Sequence, residues 1–170
     1  MLEQLGVHFE VHVSGADELT SGPSPEAIAA ENAHRKAVVT ADAVTSRLPV
    51  LGVDTVVVLD GRIYGKPDGP EQAVATLRQL AGRGHTVVSG LSLIAGEDER
   101  TAVAHTGVRF RPLSDAEIEA YVDTGEWRGR AGGYAIQGRG ALLVSEIHGD
   151  YLNVVGLPVA ALYSLAPQLF

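Results

Sequence analysis

The sequence predicts a mixed-sheet α/β fold. Segments with apolar residues at three- and four-residue spacing alternate with β-branched runs, and a two-residue turn, Asp60-Gly61, joins two of those runs into a hairpin. At 170 residues and 45% hydrophobic content, the chain is long enough to bury a core as one cooperative domain, and no repeat or low-complexity linker divides it.

Residues 2–7 read as the tail of a helix, with Leu2 and Leu5 apolar and Gly6 just past the last turn. Residues 9–13 alternate toward a short strand. The turn-rich stretch SGADELTSGPSP ends in Ser24, an N-cap, with Pro25 at the first helical position. The helix it opens runs through roughly Ala41, with Ile28, Ala29, Ala33 and Ala37 on its apolar side. Residues 50–59, VLGVDTVVVL, suit a central strand, and Asp60-Gly61 turns the chain into RIYG. Pro70 opens a second helix whose Ala73, Val74, Leu77, Leu80 and Ala81 repeat at helical spacing, and Gly82 closes it. Residues 86–94 and 102–110 are strands. Ser114 and Glu117 form the capping box of a helix through Thr124, closed by Gly125. The glycine-rich GEWRGRAGGYAIQGRGALLV then passes into a strand near 140–147, and Pro158 starts a C-terminal helix.

Bulk chemistry narrows the function. A net charge of −8 opposes the broad cationic surface that nucleic acid requires, although a small anionic substrate can still be met by a few focused cations and a metal. The absence of cysteine removes disulfides and thiolate zinc sites and fits a cytoplasmic location, which the start MLEQLGVHFEV, lacking the layout of a secretion signal, also suggests. No apolar run is long enough to span a membrane. The six histidines lack H-E-x-x-H or H-x-H spacing, there is no G-x-x-x-x-G-K-[ST], and no G-x-G-x-x-G stands between a strand and a helix; these absences argue against a zinc site, a P-loop and a Rossmann cofactor site.

Asp54 is the most informative residue. A carboxylate inside an apolar strand must be paired, metal-bound or protonated to offset its desolvation; a strand-end aspartate bonded to a neighbouring turn is the plainer alternative. Only two lysines, Lys36 and Lys66, stand against eleven arginines, consistent with two places where a compact point charge is needed, or with two solvated surface residues. Lys66 lies in the rigid turn Gly65-Lys66-Pro67 just after the hairpin that carries Asp54. Glu18 follows Asp17 in a loop, where a carboxylate pair could hold a hard cation such as Mg²⁺ or simply be solvated. In Gly132 to Gly138, the glycines allow close backbone approach to a ligand while Gln137 could read a base edge with its donor and acceptor; turn formation would need the same glycines.

Taken in order, Gly52-Val53-Asp54-Thr55-Val56-Val57, Gly65-Lys66-Pro67, Phe110-Arg111-Pro112-Leu113-Ser114, Tyr134-Ala135-Ile136-Gln137-Gly138 and Asn153-Val154-Val155-Gly156-Leu157-Pro158 resemble the Maf family of nucleotide pyrophosphatases over essentially the whole chain. The resemblance implies a two-lobed mixed sheet with flanking helices, related to the inosine triphosphate pyrophosphatases, with a central nucleotide cleft and commonly a homodimer. It implies hydrolysis of nucleoside triphosphates to the monophosphate and pyrophosphate with a divalent metal, Mg²⁺ or Mn²⁺. By motif match Asp54 is the catalytic acidic residue, acting as general base on water or through the metal. Glu18 and Asp150 match acidic positions near the metal and phosphates, and Lys36 and Lys66 match lysines that contact the triphosphate. Thr55 paired with Gln137 is similar to the subgroup acting on dTTP and UTP rather than that preferring 7-methyl-GTP. A house-cleaning hydrolase of modified nucleotides, or a non-catalytic nucleotide-binding regulator of cell division, remains compatible with the same motifs. Family members carry a strand and an S-x-S-P-R-R loop ahead of the helix ending in LEQLG, whereas this sequence starts inside that helix. A single Maf-like domain over residues 1–170 without that strand and loop is therefore expected.

Overall fold

The computed structural model describes residues 1–45 and 48–170. Among them, five strands form one sheet flanked by helices, and the chain divides into two compact units. The strands are β1 (Val50–Leu59), β2 (Arg62–Tyr64), β3 (Gly84–Ala95), β4 (Asp98–Phe110) and β5 (Val144–His148), in the order β2-β1-β3-β4-β5. The β1/β2 hairpin is antiparallel with Leu59 opposite Arg62, and its turn places Asp60 at φ 50° and Gly61 at φ 76°, the left-handed geometry that the Asp-Gly pair anticipates. Strands β4 and β5 also pair antiparallel, with Val108 opposite Ile147 and a bulge between Arg109 and Phe110.

The first unit comprises Met1–Asp54, Ser89–Ala104 and Pro158–Phe170. Its main helix is α1 (Pro25–Ala43), capped by Ser24, whose side chain accepts from Ala27 N–H at 3.2 Å. The helix lies against the sheet with almost nothing between the backbones. A Cβ built on Gly52 would sit 2.0 Å from the Ala33 carbonyl oxygen, and one on Gly90 would sit 2.3 Å from that of Ala29. Glycine in two strands and alanine at 29, 33 and 37 thus set the depth at which the helix rests, each residue removing side-chain bulk from one side of the contact. Helix α5 (Val159–Leu165) follows Pro158, buries Leu162, and is tied to β4 by the Arg100 guanidinium, which donates to the Leu165 carbonyl at 3.1 Å.

The N-terminal segment departs from expectation. Residues 3–5 form only a 3₁₀ turn closed by Gly6 at φ 77°, and residues 9–13 are not a strand. The alternation of Val7, Phe9, Val11 and Val13 is real, but a strand exists only as a partner in a ladder. Here Val11 and Val13 are 80% and 96% exposed, so neither face is buried.

The second unit comprises Thr55–Val88 and His105–Leu157. Helix α2 (Pro70–Leu80) and helix α3 (Asp115–Val122) cover its core, in which Val57, Leu59, Leu77, Leu80, Val108, Phe110, Ile118 and Trp127 are buried. The capping box of α3 is formed as its spacing predicts. Ser114 Oγ accepts from Glu117 N–H at 3.3 Å and the Glu117 carboxylate accepts from Ser114 N–H at 2.8 Å. The strand expected near 140–147 is shorter. Residues Gly138–Leu143 are a 3₁₀ helix and only Val144–His148 pair with β4, followed by the short helix α4 (Tyr151–Val155).

His85 stands inside this core, edge-on to Phe110 and Tyr134, with its Nε2 2.8 Å from the Tyr134 hydroxyl. Burial pushes its pKa down from 6.5 to about 4. Because the folded value lies below the unfolded one, the associated stability is complete above pH 6.5 and drains away as pH falls toward 4, by about 3 kcal/mol. His85→Gln, which does not titrate in that range and can still bond Tyr134, should lose less thermal stability than the wild type between pH 7 and pH 4.5. Equal losses in a pair of melting series would contradict the buried neutral imidazole.

Candidate active site

The deep seat of α1 on Gly52 determines which side chains meet. Two residues further along β1, Asp54 projects from the same face as Gly52. Asn32 and Lys36, four residues apart and therefore on one helical stripe, come down on either side of it. Asp54 is 5% exposed. Its Oδ1 accepts from Lys36 Nζ at 2.6 Å and its Oδ2 accepts from Asn32 Nδ2 at 3.2 Å. Lys36 Nζ also reaches Glu18 Oε1 at 2.8 Å. Three sequence-predicted residues, Glu18, Lys36 and Asp54, are thus brought together within the first unit.

Burial alone would lower the Lys36 pKa, but hydrogen bonds and attraction from Asp54 and Glu18 outweigh it, and the net displacement is upward. The ammonium therefore stays charged. Of its three donors, two serve the carboxylates, and among the described residues the third meets the Val53 carbonyl at 3.5 Å, the limit of a hydrogen bond. That third donor is the one a phosphate oxygen can take. Lys36→Met would leave Asp54 nearly dry without its cation. Discounted for the partial exposure of Lys36, the loss should be about 2 kcal/mol, read as a lower denaturation midpoint with an unchanged slope. An unshifted midpoint would mean that the pair contributes nothing to folding.

Two carboxylates from separate segments, converging on one cationic centre with Asn32 fixing one of them, form the donor set a hard divalent cation takes when substrate phosphates supply its remaining ligands. Glu18 and Asp54 are the residues that could hold such an ion. Among the described residues, no cluster of three or more acidic, histidine or cysteine side chains forms an all-protein cage.

The other predicted residues lie in the second unit. Lys66 is exposed in the turn after β2, and that turn is stitched to the glycine pair: Gly132 N–H donates to Gly65 C=O at 3.0 Å, and a Cβ on Gly133 would meet Pro67 Cγ at 3.1 Å. Both glycines hold positive φ, 68° and 70°. The segment continues through buried Tyr134 and Ile136 to exposed Gln137, and it is anchored at both ends. Ala135 N–H donates to the Tyr121 hydroxyl at 3.0 Å, and Glu126 accepts from the backbone of Arg139 and Gly140, each at 3.0 Å. Glu126, which sequence reasoning passed over, ties down the backbone at 139 and 140. Thr55 follows Asp54 in β1, so strand alternation sends it to the opposite face, the one on which Val57 meets Gly132. Asp150 is the N-cap of α4, accepting from Leu152 N–H at 2.8 Å through Oδ1, while its Oδ2 is buried with no hydrogen-bond partner among the described residues. Asn32, four residues before Lys36 in E-N-A-H-R-K, was also missed.

Comparison with known proteins decides the lineage. The family model described as Maf-like protein matches residues 1–169. The chain belongs to the Maf family. This Maf chain is 46% identical over 163 residues to a protein named dTTP/UTP pyrophosphatase from Symbiobacterium thermophilum, covering 94% of this chain and 82% of that one. It is 46% identical over 168 residues to a protein of the same name from Moorella thermoacetica, covering 97% and 86%, and 40% identical over 172 residues to one from Caldanaerobacter subterraneus, covering 100% and 83%. Among the described residues, no helix of this Maf protein is long and apolar enough to cross a membrane.

Proposed function

We propose that this Maf protein hydrolyses nucleoside triphosphates, dTTP and UTP foremost, to the monophosphate and pyrophosphate. The reading is carried by the buried Asp54 carboxylate joined to a charged Lys36 and to Glu18, in a chain whose relatives bear the name dTTP/UTP pyrophosphatase. Phosphoryl transfer asks a protein chiefly for placement and charge. Asp54 orients the attacking water and takes its proton, Lys36 offers its remaining donor to a phosphate oxygen, and Glu18 holds Lys36 in place. Glu18 and Asp54 would hold a divalent cation, Mg²⁺ or Mn²⁺, which would supply positive charge for the departing pyrophosphate.

The motif match assigns Lys66 and Asp150 to the phosphates and Thr55 and Gln137 to the base. Gln137 suits that role because its amide is exposed on a turn fixed by Glu126, so that its donor and acceptor can be presented together. The same reading makes the protein a cytoplasmic homodimer without nucleic-acid partners. A panel of natural and modified triphosphates with Mg²⁺ or Mn²⁺ tests the proposal. Equal amounts of monophosphate and pyrophosphate, released fastest from dTTP and UTP, are expected. Preference for modified bases would reassign the enzyme to house-cleaning, and binding without turnover would reassign the chain to a regulatory role.

A further inference from the structure

Asn32 does something that neither its helix nor its neighbours require. It is 2% exposed, and its amide serves two separate segments. Oδ1 accepts from Leu19 N–H at 2.7 Å, while Nδ2 donates to Leu19 C=O at 3.1 Å and to Asp54 Oδ2 at 3.2 Å. Both amide hydrogens and the amide oxygen are used, so the orientation of the group is fixed; turning it over would set oxygen against oxygen at Leu19 and at Asp54. The two bonds to Leu19 grip its backbone as a neighbouring strand would, in a segment, residues 7–19, that has no regular secondary structure of its own. Glu18 immediately precedes Leu19, and its carboxylate is the one on Lys36.

We propose that Asn32 is a positioning residue of the active site, a clamp that fixes the backbone beside Glu18 and one oxygen of Asp54 to α1 and so sets the separation of the two carboxylates. The assignment rests on the hydrolase reading for its catalytic consequence and on geometry for the clamp. Only an amide meets the requirement. Aspartate could still accept from Leu19 N–H but would face Leu19 C=O and the Asp54 carboxylate with another acceptor, and leucine, of similar size, would strand all three groups.

Two variants of the full chain test this, followed by hydrogen exchange and by kinetics on dTTP. In Asn32→Leu the Leu19 amide should exchange about tenfold faster, the size of one net hydrogen bond, while amides of residues 25–43 and 50–59 keep their protection. Its kcat should fall about 10- to 100-fold with KM nearly constant, because misplacing a catalytic group by a fraction of an ångström acts on the transition state. Asn32→Asp, nearly isosteric and able to accept only from Leu19 N–H, should show the same loss of kcat with KM nearly constant. Unchanged exchange at Leu19 in Asn32→Leu overturns the clamp, and faster exchange with wild-type kcat overturns the catalytic role. Wild-type protein that releases no pyrophosphate would overturn the hydrolase reading instead, leaving the clamp to be judged on exchange alone.

Discussion

Asp54→Asn should lower pyrophosphate release from dTTP by about 10³-fold or more, because on the proposed mechanism it removes both the proton acceptor and a negative ligand for the cation. Folding should survive. The substituted amide keeps an oxygen for Asn32 Nδ2, and Lys36 retains Glu18 at 2.8 Å, so no charge is left alone in a dry interior. The measurement is single-turnover pyrophosphate release alongside a denaturation curve. A variant that melts near the wild type and turns over nothing separates chemistry from stability, whereas retained turnover would take Asp54 out of the reaction.

Gly52→Ala should be strongly destabilising, costing about 3 kcal/mol. The added Cβ would lie 2.0 Å from the Ala33 carbonyl oxygen and 2.8 Å from Ala37 N, and backbone atoms inside a helix cannot turn aside as a flexible side chain would. Helix α1 must lift from β1 or the strand must bend. Either response also withdraws Asn32 and Lys36 from Asp54, so activity should fall in protein that remains folded. The reference is Gly65→Ala, where a Cβ meets nothing within 4 Å. Comparable melting temperatures for the two variants would show that the seat of α1 is not fixed by that contact.

Signals confined to a few adjacent residues were readable in the sequence. Ser24-Pro25, the Ser114/Glu117 box and Asp60-Gly61 each fix a local geometry through their own side chains or backbone preferences, and all three are realised. The 9–13 segment carried an equally clear pattern and yet formed no strand, because pairing depends on a neighbour that alternation cannot name. For the site, an acid in an oily strand and two lysines in an arginine-rich chain already singled out Asp54 and Lys36. Asn32 escaped because its partners lie 13 and 22 residues away and exist only once α1 rests on β1. The face of Thr55 was implicit in strand alternation, but it acquired meaning only when the helix was seen to take the side of Asp54.

Hydrolysis of dTTP by the wild-type protein in oxygen-18 water tests the central claim most directly. Attack on the α-phosphorus by a water held at Asp54 places the label in thymidine monophosphate and leaves pyrophosphate unlabelled. Label in pyrophosphate, or release of orthophosphate as the first product, would contradict it.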